Sequence, residues 1–484
     1  MDPTTGRRRT LGAPAISIGT TWATVAVGLP VIVAFIGRTM AIDLAYQVRA
    51  GELMLDSHRL LDVDTFTFTV GGQHWVNQQW GAQLLLGAIY RAGGWGGLAL
   101  TRGLLLGLVL TFLYLACRGV GAAPRTAALL SLAGWAVGYL SFSQLRPQLF
   151  AFVLFAICSW AVATRRSHPG RIWLVPALVV LWVNLHGSFP LATVLLVLAW
   201  IEDRRTDRAR AKMLAVAIAL SLIASFADPL GPSVWRYVLD LATNPVVSGR
   251  IGEWASPTVR SSTGLLFLVS ILAVGGLLAR RGRQADWVPL LTLGVFAVLG
   301  LVAGRNVAWW ATLAPVMVSG LIRDGDRTPA EAPSSINLVI PVLLGALAVV
   351  TAPISRGTDP ISGGPATLTF APEYLVAAAR GAVPAGSHAF VSEVYASWSE
   401  FSAPGLPLAV DPRIELFPVA VWNDYTVVTE GRSGWQDVLD RWHVQVLILH
   451  PEEAAGLIAL IHDDPSWRLV ERSVAGSVYA RASG

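Results

Sequence analysis

Residues 42–95 read IDLAYQVRAGELMLDSHRLLDVDTFTFTVGGQHWVNQQWGAQLLLGAIYRAGGW. This stretch is the part of the sequence that indicates most about the fold. It follows directly on an apolar segment that could cross a membrane. Asp43, Tyr46 and Gln47 share one face of a predicted helix. An alternating TFTFTV run and a Gly-Gly turn then predict a hairpin, and a second helix rich in Gln and Leu follows. The stretch is too polar to lie in lipid and too regular to be a flexible tether.

The composition predicts an integral membrane protein. Hydrophobic residues make up 54% of the 484 residues and charged residues only 14%, whereas soluble domains contain roughly 25% charged residues. A net charge of +5 would raise the question of nucleic-acid binding in a soluble protein. Here the arginines lie in short clusters between apolar runs, so membrane topology explains them. Cys117 and Cys158 lie in apolar segments, which argues against a disulfide framework or a thiolate metal site.

Eleven apolar segments could extend to the length of a membrane-spanning helix, so the two ends of the chain are predicted on opposite sides of the membrane. Their apolar cores are Trp22–Ile36, Leu98–Ala116, Thr126–Leu140, Leu149–Ala163, Ile172–Val183, Phe189–Trp200, Met213–Phe226, Gly264–Leu278, Val288–Ala303, Val307–Ile322 and Ile336–Val350. The fold class predicted is therefore a polytopic α-helical membrane protein with about eleven transmembrane helices.

The arginine clusters predict the orientation, because short cytoplasmic loops retain positive charge. Placing Arg7–Arg9 in the cytoplasm puts the later arginine clusters on that side too. These clusters are Arg118 with Arg125, Arg165 with Arg166 and Arg171, the runs that begin at Arg204 and Arg280, and Arg323 with Arg327. The excess of Arg over Lys is typical of bacteria with GC-rich genomes. We expect a bacterial plasma-membrane protein with a cytoplasmic N-terminus and with residues 42–95 on the extracytoplasmic side.

The sequence changes character at about residue 351. Residues 351–371 are rich in Pro and Gly and predict a linker. Residues 372–484 alternate predicted strands and helices, which favours a small α/β domain on the extracytoplasmic side of the 1–350 membrane domain. Strands are predicted at His388–Glu393, Leu406–Asp411, Val444–His450 and Val478–Ala482, and helices at Pro372–Arg380, Gly434–Trp442 and Glu452–Ile461.

Polar residues gather at the predicted outer ends of the helices, where a charge avoids the roughly 2.5 to 3.5 kcal/mol that it costs at a helix centre in lipid. They include Asp43, Tyr46, Gln47, Arg146, Asn184, His186, Glu253, Arg305 and Asn306. Each has an ordinary structural explanation: Asp43 could cap a helix or pair with an arginine, Arg146 could anchor at the headgroups, and His186 could hydrogen-bond the backbone. Two acids, two arginines, a histidine and amides on one face would nevertheless suit an anionic substrate.

Three tryptophans near this boundary, Trp254, Trp309 and Trp310, are predicted to belong to the interfacial aromatic belt rather than to a sugar-stacking platform. A metal role for His186 is disfavoured because no second His or Cys lies at ligand spacing.

At this point the chain resembles the GT-C glycosyltransferases, polytopic enzymes that take sugars from polyprenyl phosphate carriers. The shared features are a first helix that ends in an Asp, a large first outer loop, many membrane helices and an outer C-terminal domain. More closely, the motifs DLAYQVRAGE, DTFTFTVGGQHWVNQQW, LRPQ, LWVNLHGSF, IGEWASP and AVDPRIELF resemble uncharacterised bacterial membrane proteins that are labelled as glycosyltransferases.

The resemblance implies a reaction and roles. Asp43 matches the first-loop acid that acts in the family as general base or positions the acceptor, although Leu44 stands where a second acid is often found. Glu253 is the candidate for the missing carboxylate. The implied reaction is an inverting displacement, in which a carboxylate takes the acceptor proton and Arg146 and Arg305 stabilise the departing lipid phosphate.

Substrate-binding residues are expected to be Arg146, Arg305, His186, Asn184, Gln79, Tyr46 and Gln47. No cofactor is required by the sequence, and a divalent cation stays open. The expected partners are the membrane, a polyprenyl-phosphate-linked sugar and an extracytoplasmic glycan or protein acceptor, with no nucleic acid. Asp411 and Arg413 are expected to form a structural ion pair. The alternative function is a catalytically silent membrane scaffold or assembly partner of a cell-envelope complex.

Overall fold

The computed structural model describes residues 15–250, 252–281, 287–322 and 333–482. Most of the described chain is helical. Arg7–Arg9, Arg323 and Arg327, which carry part of the predicted orientation, lie outside the described residues.

Up to Thr351 the described chain is built mainly of α-helices, most of them joined by short loops. Their bounds are α1 Ile18–Ile36, α2 Ala41–Ser57, α3 Trp80–Gly119, α4 Pro124–Val137, α5 Tyr139–Phe142, α6 Pro147–Ala163, α7 Leu174–Val183, α8 Pro190–Thr206, α9 Arg208–Ala224, α10 Ser233–Ala242, α11 Pro245–Arg250, α12 Ser262–Arg281, α13 Trp287–Val302, α14 Val307–Leu321 and α15 Val339–Thr351. Two 3-10 turns, Gly252–Trp254 and Gly304–Asn306, contribute residues to the site described below.

Several helices present apolar side chains outward. Within the described ranges, four helical segments are long and apolar enough to cross a membrane: Ile18–Ile36, Trp80–Gly119, Ser262–Arg280 and Ser335–Ser355. On α12 and α15 this outward surface is apolar, with Leu272 74% and Val349 78% exposed, as expected for helices that face lipid. The chain is therefore a membrane protein, while the number of spanning helices, expected to be eleven, stays a prediction.

Close helix packing places α2 beside α3. A Cβ atom added at Gly51 would lie 2.0 Å from the carbonyl oxygen of Gln83, so only glycine permits this approach. Within α3, Gly94 has φ +57° and ψ −156°, which interrupts the helix. The interruption separates the part of α3 that packs on α2 from the apolar part that could enter the membrane.

The predicted TFTFTV strand does not form. The Gly-Gly turn is closed by one antiparallel bridge between Val63 and His74, while Thr67 instead pairs in parallel with Leu408. The cause is Asp64, whose carboxylate accepts hydrogen bonds from the backbone N–H of Thr67 at 3.1 Å and from its hydroxyl at 2.6 Å. Such side-chain turns compete with strand pairing.

Beyond the predicted linker, helices and strands are mixed. The helices are α16 Glu373–Ala382, α17 Glu393–Ser402, α18 Val419–Thr429, α19 Trp435–Arg441 and α20 Ala455–Ile461. The strands are β3 His388–Val391, β4 Val444–Leu449, β5 Trp467–Ser473 and β6 Gly476–Arg481, in the order β3-β4-β6-β5. Strand β3 is parallel to β4, and the other pairs are antiparallel. The predicted strand Leu406–Asp411 forms only isolated bridges at Leu408.

The C-terminal segment is attached to the first loop. Short strands β1 (Thr39–Met40) and β2 (Leu368–Thr369) pair in parallel just after α1, and Arg38 forms an ion pair with Asp359 at 2.5 Å. At the other end of α1, Ile16 pairs with Ser334. The first loop and the C-terminal segment therefore lie at the same end of the helical bundle.

The aromatic-belt prediction was wrong for two of the three tryptophans. Trp309 and Trp310 are 2% and 3% exposed. Trp309 packs against Phe155 with ring centroids 5.0 Å apart, and Trp310 donates to the Ser270 hydroxyl at 2.9 Å. They lie in the interior of the bundle because α14 is surrounded by other helices.

Candidate functional site

A cavity of about 410 Å³ lies where the ends of several helices meet the C-terminal segment. Of the site residues predicted from the sequence, those that line it are Asp43, Tyr46, Gln47, Gln79, Arg146, His186, Glu253 and Arg305. They come from α2, from the residue before α3, and from the loops that precede α6, α8, α12 and α14. Residues far apart in sequence are thus brought to one chamber.

Arg146 bridges the two predicted acids. Its Nε lies 2.9 Å from Asp43 Oδ2, and its Nη1 lies 2.7 and 2.8 Å from the two carboxylate oxygens of Glu253. Arg146 is the last residue before α6, where Pro147 occupies the first turn, so its backbone is extended and its side chain projects from the helix end. One guanidinium therefore holds the carboxylates of Asp43 and Glu253 together.

Arg305 is arranged differently. Its guanidinium stacks over the Trp254 ring at 4.6 Å, and it has neither an ion pair nor a hydrogen bond to any residue within the described ranges. The backbone N–H of Gly304 donates to the Ala255 carbonyl at 2.9 Å, which joins the two 3-10 turns that carry Arg305 and Glu253. Of these two arginines, Arg146 is therefore neutralised by carboxylates and Arg305 is not.

The electrostatics favour a proton acceptor at Asp43. Burial raises the pKa of Asp43 above its ordinary value, and the Arg146 guanidinium opposes this effect. Glu253 raises the pKa of Asp43 as well, and Arg305 lowers it. A carboxylate with a raised pKa, held in one orientation by an arginine, can accept a proton more readily than a free one.

His186 is held as a neutral imidazole. Its Nδ1 accepts from the backbone N–H of Ser188 at 3.2 Å and lies 2.8 Å from the Ser188 hydroxyl, which in turn accepts from the indole N–H of Trp182 at 3.2 Å. Burial, and secondarily Arg305, lowers the pKa of His186 to about 3. With Nδ1 acting as acceptor, the ring carries its proton on Nε2 and can donate one hydrogen bond.

A chain of polar side chains runs along α2 and the start of α3. The amide Nε2 of Gln47 donates to the Tyr46 hydroxyl at 2.6 Å and to Gln79 Oε1 at 3.1 Å. The Gln47 Oε1 atom is buried without a partner in the described structure. These side chains have fixed orientations, as a ligand-binding wall requires.

Asn184 does not line the cavity. Its Nδ2 donates to the carbonyls of Val180 and Ala227, each at 2.8 Å, and its Oδ1 accepts from the Trp80 indole at 3.1 Å. These contacts tie the end of α7 to neighbouring loops. The Asn184 side chain thus bonds two backbone carbonyls and one indole near the helix end, and its role in substrate binding stays a prediction.

Sequence reasoning missed the side chains that the C-terminal segment and α10 contribute. Glu393, Glu415, Arg413 and Tyr237 also line the cavity. Glu393 lies two residues after the end of β3, which is parallel to β4, and sites in α/β folds commonly lie at the carboxyl ends of parallel strands. That rule, applied to the predicted strand at His388, could have identified Glu393.

Arg413 anchors the C-terminal segment to the first loop. It pairs with Asp411, as the sequence predicted, and also with Asp64 of the first loop, and all three side chains are buried. Its guanidinium lies over the ring of Trp75 at 4.5 Å. This cluster fixes the wall of the cavity on the side of residues 411–415.

Within the part of the chain that the structure describes, the cavity lacks the side-chain grouping that a bound metal ion would need. No group of three His, Cys, Asp or Glu side chains among the described residues could hold a metal ion. Asp43 and Glu253 both line the cavity, and the Arg146 guanidinium lies between them where a divalent cation would have to bind. The side chains of the cavity do not fit a divalent cation, and no step is assigned to one.

Comparisons with known proteins identify the fold. No family model and no curated protein sequence matches the chain. Among solved structures, the apo oligosaccharyltransferase of Archaeoglobus fulgidus aligns over 90% of this chain and 69% of its own, with a TM-score of 0.58 and 12% identity. The same protein tethered with an acceptor peptide gives a TM-score of 0.54 and 12% identity, over 96% of this chain and 74% of its own.

A third structure, the arabinofuranosyltransferase AftD from Mycobacteria, aligns over 97% of this chain and 42% of its own, with a TM-score of 0.59 and 16% identity. At these identities the likeness is one of fold. It confirms the resemblance read from the sequence: the chain has the GT-C fold, the fold of the GT-C glycosyltransferases.

Proposed function

We propose that the protein is a membrane glycosyltransferase that moves a sugar from a polyprenyl phosphate carrier to an extracytoplasmic acceptor, with inversion at the transferred carbon. The observation that carries the proposal is the cavity itself, in which the unpaired Arg305 lies in the same chamber as two carboxylates held by Arg146. Transfer from a phosphate-linked donor needs a cation for the leaving group and a base for the acceptor.

Arg305 is the residue best placed to bind the donor phosphate. The Asp43–Arg146–Glu253 group contains two carboxylates and one guanidinium, so it carries excess negative charge and disfavours an anion. Arg305 has its planar donor edge available and is oriented by Trp254, and such a fork matches two phosphate oxygens. The two arginines, expected to act alike, would therefore have different tasks.

Asp43 is the proposed base. The acceptor hydroxyl oxygen forms a bond to the anomeric carbon of the donor, and the bond from that carbon to the phosphate oxygen breaks with its electron pair leaving on the phosphate. The hydroxyl proton passes to Asp43, whose orientation Arg146 sets. A single displacement of this kind inverts the configuration at the carbon.

The remaining polar side chains would hold the sugar. His186 can donate from Nε2, and Gln79 extends the hydrogen-bonded chain that begins at Tyr46 and Gln47. The cavity, at about 410 Å³, lies within the range of about 300 to 1,000 Å³ usual for small-molecule sites. It would open at the extracytoplasmic face if the N-terminus is cytoplasmic, because the first loop and C-terminal segment share one end of α1.

The test uses purified full-length protein in lipid nanodiscs, a panel of synthetic polyprenyl-phosphate pentoses and hexoses as donors, and methyl glycosides and serine or threonine peptides as acceptors. Release of free polyprenyl phosphate is followed by mass spectrometry. Asp43→Asn should lower the rate by roughly 100- to 10,000-fold, the usual contribution of a general base. Asp56→Asn is the matched control, because Asp56 lies on the same helix but is 66% exposed and paired with Arg91.

Two results would count against the proposal. Wild-type release from Asp43→Asn would remove Asp43 from the mechanism. If no donor is consumed by the wild-type protein and a stable partner protein co-purifies with it, the scaffold alternative is supported instead.

A further inference from the structure

Glu393 is a carboxyl group of the cavity that the reaction above leaves without a task. It is the first residue of α17 and lines the same chamber as Asp43. Its backbone N–H donates to the Tyr425 hydroxyl at 2.7 Å and to Glu453 Oε1 at 2.8 Å, so its main chain is firmly placed. Its side-chain carboxyl, by contrast, has no hydrogen bond or ion pair with any other residue that the structure describes.

Helix α17 is attached to the helix that carries Asp43. The backbone N–H of Tyr46 on α2 donates to the Ser397 hydroxyl on α17 at 2.8 Å, in a buried contact. The ring of Trp398 on α17 also packs against Trp95 of α3, the helix beside α2, with centroids 5.5 Å apart. Two carboxyl groups from two packed helices therefore enter one cavity in a fixed relation.

An unpartnered carboxyl group in a cavity is a recognition element for hydroxyl groups, since it can accept from them and, when protonated, donate to them. The donor phosphate is disfavoured near it because the cavity also holds Asp43 and Glu415. A neutral saccharide offers the adjacent hydroxyls that such a wall can bind.

We propose that Glu393 forms the acceptor subsite, where its carboxyl group hydrogen-bonds one hydroxyl of a neutral saccharide acceptor and so presents a neighbouring hydroxyl to Asp43. This inference rests on the proposed function and adds the chemical class of its acceptor. Glu393 is a binding residue in this scheme, and the proton transfer remains with Asp43.

The surroundings of Glu393 make acceptor binding depend on pH. Burial raises the pKa of Glu393 to about 8, assisted by the carboxylates of Glu453, Asp43 and Asp411 and opposed by Arg250. The acid is therefore protonated at neutral pH and ionises as the pH rises through about 8. Ionisation adds a negative charge beside Asp43 and removes the donor, so acceptor affinity should fall on the alkaline side.

The experiment measures transfer to a panel of methyl glycosides, using the polyprenyl-phosphate donor found active in the release assay. Between pH 7 and 9 the acceptor KM of the wild type should rise roughly tenfold, as expected for a group with a pKa near 8. Glu393→Gln, a neutral mimic of the protonated acid, should keep the acceptor KM at pH 7 within about threefold and should lose this rise. Glu393→Ala should raise the acceptor KM roughly tenfold at pH 7 and leave the donor KM unchanged, since one hydrogen bond is lost.

Glu452→Gln is the matched control, because Glu452 is exposed and adjacent to Glu453, and it should behave as wild type. A Glu393→Gln protein that keeps the alkaline rise, or a Glu393→Ala protein whose donor KM alone changes, overturns the inference. Transfer to serine or threonine peptides but to no glycoside overturns the saccharide class. A wild type that releases no polyprenyl phosphate from any donor overturns the proposed function itself, which is a separate outcome.

Discussion

Replacing Arg146 with lysine distinguishes an arginine that positions carboxylates from one that binds phosphate. Two different nitrogens of the guanidinium hold Asp43 and Glu253, at 2.9 Å and 2.7 Å. Lysine keeps the charge but has a single nitrogen, so it cannot hold both carboxylates in this planar arrangement. Asp43 should lose its fixed orientation while the charge of the cavity stays the same.

Arg146→Lys should lower kcat strongly and the free energy of unfolding only slightly. The side chains of Arg146, Asp43 and Glu253 are 21%, 29% and 44% exposed, so solvent screening brings each ion pair toward about 0 to 1 kcal/mol. We therefore expect the free energy of unfolding to fall by only about 1 kcal/mol. A catalytic group displaced by about 1 Å typically costs roughly 100-fold in rate, so kcat should fall by about that factor.

The assay is the steady-state release of polyprenyl phosphate, with thermal unfolding measured in parallel. The donor KM of Arg146→Lys should stay within about threefold of wild type, whereas Arg305→Lys should raise the donor KM roughly tenfold because its phosphate contact loses the bidentate geometry. Glu253→Gln keeps an oxygen for Arg146 and should retain most of the activity. If Arg146→Lys instead raises the donor KM as much as Arg305→Lys does, Arg146 binds the phosphate and the division of tasks is wrong.

Three further outcomes follow from the packing and the charges. Arg413→Met leaves Asp64 and Asp411 buried without their cation and should cost about 3 to 5 kcal/mol of stability, measured as a loss of folded protein on size-exclusion chromatography. The pKa of His186 is lowered to about 3 in the folded chain, so as the pH falls below about 6.5 the unfolded chain takes up a proton at this residue and the folded chain does not. Between pH 7 and pH 5 the free energy of unfolding of wild type should therefore fall by roughly 2 kcal/mol more than that of His186→Gln. Gly51→Ala places a methyl group 2.0 Å from a carbonyl oxygen of α3 and should destabilise the protein by at least about 1 to 3 kcal/mol, whereas Gly345→Ala, with no atom within 4 Å, should be tolerated in the same thermal assay.

Much of the cavity could be predicted from the sequence because polar residues are conspicuous in an apolar chain. Asp43, His186 and Arg305 each interrupt or border an apolar segment, and the cost of burying charge in lipid predicts that such residues meet in a cavity. The positive charges between segments then predicted which helix ends are neighbours. These residues are expected to converge because charged groups avoid lipid, and no local motif is needed to predict it.

The pairings inside the cavity could not be predicted in the same way. Arg146 and Glu253 are separated by 107 residues, and nothing in the local pattern around either indicates the other. Local turns also override periodicity, since Asp64 prevents the TFTFTV run from forming a strand. The sequence also could not show the contacts of Asn184. Its side chain bonds three neighbouring groups at a helix end, and these groups come together only in the folded chain.

The charges of the cavity also support a transfer in which Asp43 accepts the proton in the same step as the phosphate leaves. Asp43 and Glu253 together balance Arg146 and Arg305, so this group of four side chains is close to neutral. A sugar phosphodiester brings one negative charge, and breaking its glycosidic bond would leave two on the phosphate. When Asp43 accepts the acceptor proton at the same step, one carboxylate charge disappears as the phosphate gains one. The total charge of the cavity then does not change during the reaction, and a buried site avoids the energetic cost that an uncompensated charge would carry.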